Sequence, residues 1–137
     1  HIAYCESKAN ELERLLAGTK SMLIRGAAGR KLPHGRVAEG ETVYLLDNDG
    51  SGTIRAKGVV RFAFHSGKLD PDENRQLIAA HMDRLQLTES QRKRWESKQY
   101  LCLVDLAGIR EIEPFSYVRE RNMDDWIIVG QIQDIAR

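Results

Sequence analysis

The chain has 137 residues, 42% apolar and 30% charged, with a net charge of +1. That balance excludes a disordered tail, and at this length one domain over 1–137 is expected, with room for a hydrophobic core. No window reaches the ~18 consecutive apolar residues of a membrane helix, so no membrane partner is expected.

Taken in chain order, the first expected element is a helix over residues 7 to 17, SKANELERLLA. Ser7 is the expected N-cap, Leu12, Leu15 and Leu16 the apolar stripe, and Gly18 the C-terminal cap. Residues 20 to 25 predict a strand and 26 to 36 a loop. Alternation puts Ser21, Leu23 and Arg25 on one face and Lys20, Met22 and Ile24 on the other. Met22 and Ile24 are the expected core face, which leaves Arg25 facing outward or into a cleft. A strand is expected at 42 to 46, a turn at DNDGSG (47–52), and a long strand over TIRAKGVVRFAF, with Gly58 marking a bulge or bend.

The middle of the chain changes character. Pro71 behind Asp70 predicts a helix that buries Leu77, Ile78, Met82 and Leu85. Thr88 and Gln91 form a capping-box start for a short helix through Trp95. YLCLVDL (100–106) and IREIEPF (109–115) read as two further strands. Ile127 and Ile128 suit a strand, and 130 to 136 could turn helical. The order is that of an α+β domain built on a small, curled or barrel-like sheet of about five to six mostly antiparallel strands, with flanking helices.

Cys5 and Cys102 form no CxxC pair, and two free thiols in a reducing cytoplasm are expected rather than a disulfide. The four histidines lack metal-ligand spacing, so neither a metal nor another cofactor is expected. Glu6 and Lys8 interrupt the apolar opening, and no secretory leader is expected there.

Charge is unevenly distributed. Residues 20 to 68 hold nine Lys/Arg against four acids, and the remainder holds twelve against sixteen. Much of the excess surrounds GAAGRKL. This is no Walker loop, because only two residues separate Gly26 from Gly29 and Leu32 follows Lys31. Pro33 and Gly35 argue against a dinucleotide fingerprint, which needs a helix there. What remains is a basic GxxG loop, Gly26, Gly29, Arg30 and Lys31, whose backbone could approach a nucleic-acid phosphate, or a plain surface loop. Arg25, at the end of the preceding strand, could fork onto a phosphate or pair with a barrel carboxylate.

Three segments, LLAGTKSMLIRG, GRVAEGETVYLL and GTIRAKGVV, together resemble the ASCH family of the PUA-like fold. Gly18, Lys20 and Arg25 match its first motif, Gly40 to Val43 its second, and Ala56 to Val60 its third. The likeness covers roughly residues 10 to 62. It implies a PUA-like β-barrel with a cleft between barrel and helices, and RNA or nucleobase binding. One branch is similar to acetylcytidine amidohydrolases, which use a Lys, a Thr and a Glu. Lys20 stands at that lysine's position, but Leu23 stands at the threonine's, where an alkyl chain cannot act as nucleophile. Glu73 and Glu89 match the glutamate equally badly.

Trp95 and Trp126 could each stack a base or simply bury, and the basic run QRKRWESK (91–98) could rim a cleft or face solvent. His34, His65 and His81 have no partner pattern, so a structural or exposed role is expected for each. The leading expectation is a non-catalytic module that binds RNA or a nucleobase. Its expected contacts are Lys20, Ser21, Arg25, Gly26, Gly29, Arg30, Lys31 and Trp126. The alternative is a ribonuclease or amidohydrolase with Lys20 as base. A third reading is a protein-interaction domain whose basic patch meets an acidic partner.

Overall fold

A computed structural model of the chain describes residues 1–31, 33–117 and 125–130. Strand β1 (Ile2–Cys5) leads into a 3-10 turn (Ser7–Ala9) and helix α1 (Glu11–Ala17). Strands β2 (Met22–Ala27), β3 (Thr42–Asp47) and β4 (Thr53–His65) follow. Helices α2 (Pro71–Ala80), α3 (Met82–Leu85) and α4 (Glu89–Glu96) precede β5 (Tyr100–Ser116) and β6 (Trp126–Ile127). The six strands form one curled sheet, a half-barrel, in the order β2-β5-β4-β3-β1-β6. Among the described residues, every pairing is antiparallel except that of β1 with β3.

Several elements depart from the sequence expectations. The expected helix over 7–17 is divided at Asn10, whose left-handed backbone (φ 52°) ends the 3-10 turn and starts α1. Ser7 is not a cap; its backbone N–H and hydroxyl both donate to Asn48 Oδ1. The helix begun at Pro71 stops at Ala80, and Met82 and Leu85 belong to a separate short turn. The two strands expected at 100–106 and 109–115 are one 17-residue strand, bent where Gly108 takes φ 62°. The helical reading of 130–136 lies almost wholly outside the described residues.

The helix starts match their signals. Asp70 and Glu73 close a reciprocal capping box on α2, with Pro71 at the first turn, and Thr88 and Gln91 do the same for α4. The turn at 47–52 joins β3 to β4, and the β4–β5 register slips around Gly58. Among the described residues, no helix is long and apolar enough to cross a membrane.

Both faces of the first strand of the basic segment are buried. Leu23 faces inward with Ala3, Val43, Val60 and Val104, and α1 plugs this interior with Leu12 and Leu15. Met22 and Ile24 face outward, where α2, α3 and α4 cover them with Ile78, Leu85 and Trp95. Alternation separated Leu23 from Met22 and Ile24 correctly, but it did not give the helical layer over the second face, and Ser21, which precedes the strand, turns to Asp105 instead of siding with Leu23. Burying roughly twenty large apolar side chains at about 1.5–3 kcal/mol each is the principal force holding these layers.

Candidate functional site

A cleft of about 520 Å3 opens between the end of β1, the 3-10 turn and α4. Its volume falls within the range of about 300–1,000 Å3 common for small-molecule sites. Tyr4, Glu6 and Lys8 line one side, Gln91, Arg94 and Trp95 the other, with Glu11, Arg25 and Asp125 between them. Three acids meet three bases there, so the lining is polar but nearly neutral.

Beneath the lining lies a buried charge pair. Gly18 ends α1 in the left-handed region (φ 82°), and the turn it permits returns the Thr19 and Lys20 N–H groups to the Arg14 carbonyl. This fold-back places Lys20 under α1, with its Nζ 3.7 Å from Glu11 Oε2. The ammonium also donates to the Leu85 carbonyl. Glu11 accepts from the Glu6 N–H at 3.3 Å and from Gln91 Nε2 at 3.2 Å. Gln91 further donates to Glu6 at 3.0 Å, and Arg94 grips both Glu6 oxygens. Burial, opposed by Glu11 and aided by Arg25 and Arg14, pulls the Lys20 pKa down to about 8. Lys20 itself does not line the cleft.

Arg25 reaches across the gap between the two sides of the half-barrel. Its Nη2 donates to the Tyr4 carbonyl at 2.6 Å, its Nη1 to the Ile24 carbonyl at 2.7 Å, and its Nε lies 3.2 Å from Asp125 Oδ2. The guanidinium also stands 5.7 Å from the centre of the Trp126 ring. Trp126 is fully buried, and its Nε1–H donates to His1 Nδ1. In this conformation it has no open face for a base. Trp95 packs in the outer core but presents an edge to the cleft.

Six of the eight expected contact residues, all but the two glycines, fall into three places. Lys20, Arg25 and Trp126 gather beneath and beside the cleft. Ser21 lies on the outer face, donating to Asp105 Oδ1 at 2.6 Å. Arg30 and Lys31 occupy an exposed loop, with the Arg30 guanidinium 5.7 Å over the Tyr100 ring. None of the described residues from 26 to 36 lines the cleft. His34 and His65 dock that loop instead: His34 Nε2 meets the Ser66 carbonyl at 2.6 Å, and His65 accepts from the Gly35 N–H at 2.8 Å.

Gly26 proves to be a strand residue, not a loop residue. A Cβ there would lie 2.8 Å from both Leu101 Cδ2 and the Tyr100 carbonyl oxygen. Its bare backbone lets β2 lie against β5. Gly29 has open space around it.

The carboxylate beside Lys20 is Glu11, which the sequence reading overlooked. Glu73 is occupied in the α2 capping box, and Glu89 is an exposed partner of Lys93. One signal could have found Glu11: the expected Gly18 cap turns the chain at the end of α1 and folds Lys20 back toward the helix that carries Glu11.

The architecture is a curled sheet with flanking helices and a cleft beside them. It is similar to the crystal structure of ASCH from Zymomonas mobilis, with a TM-score of 0.63 and 13% sequence identity over 84% of this chain and 71% of that one. Two single-residue mutants of the same Zymomonas protein match equally well, with 73% and 72% of their chains covered. No family model matches the chain, and no curated protein matches it.

Proposed function

We propose that the chain is a non-catalytic module that binds RNA or a nucleobase, taking a base in the cleft and phosphates on the basic loop. The observation that carries this reading is the cleft itself. Its lining carries donors on Arg94 and Gln91 and acceptors on Glu6 and Glu11, which pair with one another beside Trp95 and could exchange those partners for a ligand's polar edge. A neutral, planar, polar ligand such as a nucleobase suits that nearly balanced lining better than a bare phosphate does. Phosphates find their complement in the exposed charge of Arg30 and Lys31.

An enzymatic reading draws on Lys20, whose proton is loosened by burial against the opposing charge of Glu11. Two observations weigh against it. The Lys20 ammonium lies behind Glu11 and is engaged by the Leu85 carbonyl. Leu23 sits in the inner core and offers no nucleophile.

Titrating single-stranded RNA at several salt concentrations, alongside a panel of nucleosides, tests the proposal. Each phosphate neutralised on a single strand contributes a slope of about −0.7 in log affinity against log salt. The Arg30→Ala/Lys31→Ala variant is expected to bind more weakly and to flatten the slope by about one to two such contacts. Absence of binding to both RNA and nucleosides by the unaltered protein would overturn the reading.

A further inference from the structure

Strand β4 carries an aromatic face that the helices leave uncovered. Val60 pairs with Leu106, and both point into the inner cluster. The register then slips at Arg61, after which Phe62 pairs with Asp105 and Phe64 with Leu103. Leu103 belongs to the outer layer under the helices, so Phe62 and Phe64 stand on that same outer face, beyond the helical cover. They are 40% and 39% exposed.

Charge is fixed beside these rings. Asp105 is fully buried, and its Oδ2 takes Arg61 Nε at 2.8 Å, Arg61 Nη2 at 2.6 Å and Arg84 Nη1 at 3.4 Å. One carboxylate thus balances two guanidiniums, whose side chains are 53% and 49% exposed. A net positive charge remains, held next to Phe62 by a buried anchor.

We propose that this face is a second contact surface for single-stranded RNA, with a base stacked on Phe62 or Phe64 and phosphates on Arg61 and Arg84. The proposal rests on the RNA-binding reading of the cleft and extends it to a longer strand. Outward residues two apart on a strand are roughly 6.6 Å from each other, about twice the 3.4 Å rise of a stacked strand. One base therefore fits between the rings. Charge decides the partner: an apolar surface would strip water from two guanidiniums without compensation, whereas phosphate oxygens match their forked donors.

The test compares a mononucleotide with an oligouridylate of about 16 nucleotides, the upper end of common single-strand site sizes. The unaltered protein is expected to bind the oligomer more tightly. Phe62→Ala/Phe64→Ala should weaken oligomer binding by between about fivefold and one-hundredfold and leave the mononucleotide unaffected. Phe62→Leu/Phe64→Leu keeps apolar bulk without a ring and should show the same loss, even if the alanine variant fails to fold. If the leucine variant binds both ligands as the unaltered protein does, the face is not an RNA surface and the cleft reading stands alone. If the unaltered protein binds neither ligand, both readings fall. Loss of self-association or of acidic-peptide binding in the leucine variant, with RNA affinity unchanged, assigns the face to a protein partner and overturns the proposal.

Discussion

Lys20 and Glu11 face each other across 3.7 Å, both almost wholly withdrawn from solvent. A pair so placed loses much hydration, and its attraction offsets that loss only while the surrounding hydrogen bonds hold. Glu11 has two such bonds, from the Glu6 N–H and Gln91, and Lys20 has one to Leu85. The pair ties α1, α3 and α4 together at the base of the cleft.

Stability should therefore respond to alkaline pH in a particular way. The Lys20 pKa is lowered from 10.5 to about 8, mainly by burial. Between those values the folded chain releases a proton that the unfolded chain keeps, so stability rises with pH by up to about 1.4 kcal/mol per pH unit. Burial pushes both thiols upward from 9, Cys102 to about 12 and Cys5 further. Above pH 9 the unfolded thiols ionise first, which lowers stability, and two thiols outweigh one amine. Urea unfolding from pH 7 to 10.5 is expected to show a maximum near pH 9 for these groups. In Lys20→Met the rise between pH 8 and 9 should vanish; a rise that persists there would show that another group causes it.

Removing the carboxylate should cost far more here than at the glutamates of the later helices. Glu11→Ala leaves a buried ammonium and the Gln91 amide short of a partner, and a loss of about 3–5 kcal/mol is expected. Glu89→Ala should change stability by no more than about 0.5 kcal/mol, because Glu89 is exposed. Denaturant midpoints of the two variants make the comparison. Equal midpoints would mean that the Lys20 pair carries no structural weight.

The two glycines of the GxxG segment should behave oppositely. At Gly26 a methyl group meets a backbone carbonyl that cannot swing aside, so Gly26→Ala is expected to lose about 1–3 kcal/mol. Gly29 has free space and no positive φ, and Gly29→Ala should be neutral or stabilise by up to about 1 kcal/mol. Thermal unfolding of both variants checks this. A stable Gly26→Ala protein would mean that β2 and β5 are further apart than described.

Arg25 offers a test of clamp against charge. Lysine retains the charge but cannot send separate donors to the Tyr4 and Ile24 carbonyls while standing beside Asp125. Arg25→Lys should thus lose most of what Arg25→Ala loses, on the order of 2–4 kcal/mol. Full retention of stability in the lysine variant would reduce Arg25 to a point charge.

Local chemistry made some elements legible and long-range pairing hid others. Asp70-Pro71-Glu73 and Thr88-Gln91 specify their helix starts through contacts three residues apart, so a sequence displays them directly. IAYC, by contrast, is only a short apolar run. It becomes a strand because residues 44–47 lie on one side of it and residues 126–127 on the other. The long β5 was divided because Gly108 looks like a break, and only the pairing with β4 along its length reveals a bend. At the site, the fold and the placement of Lys20 near a cleft were foreseeable from its motif. Glu11 was not, because its nearness depends on the left-handed turn at Gly18. Trp126 was open between two readings, and the guanidinium over its ring belongs to the buried one.

The position of β1 inside the sheet has a consequence for how the chain is assembled during synthesis. Strand β1 is made first, yet it lies between β3 and β6, and the Tyr4 N–H bonds to the Asp125 carbonyl. A nascent chain that has not yet released Asp125 leaves β1 with an open edge and Arg25 without its carboxylate. Contacts of such long sequence separation form slowly and expose unpaired edges while they wait. Among the described strands, the first to be made is thus the one whose placement waits for the last.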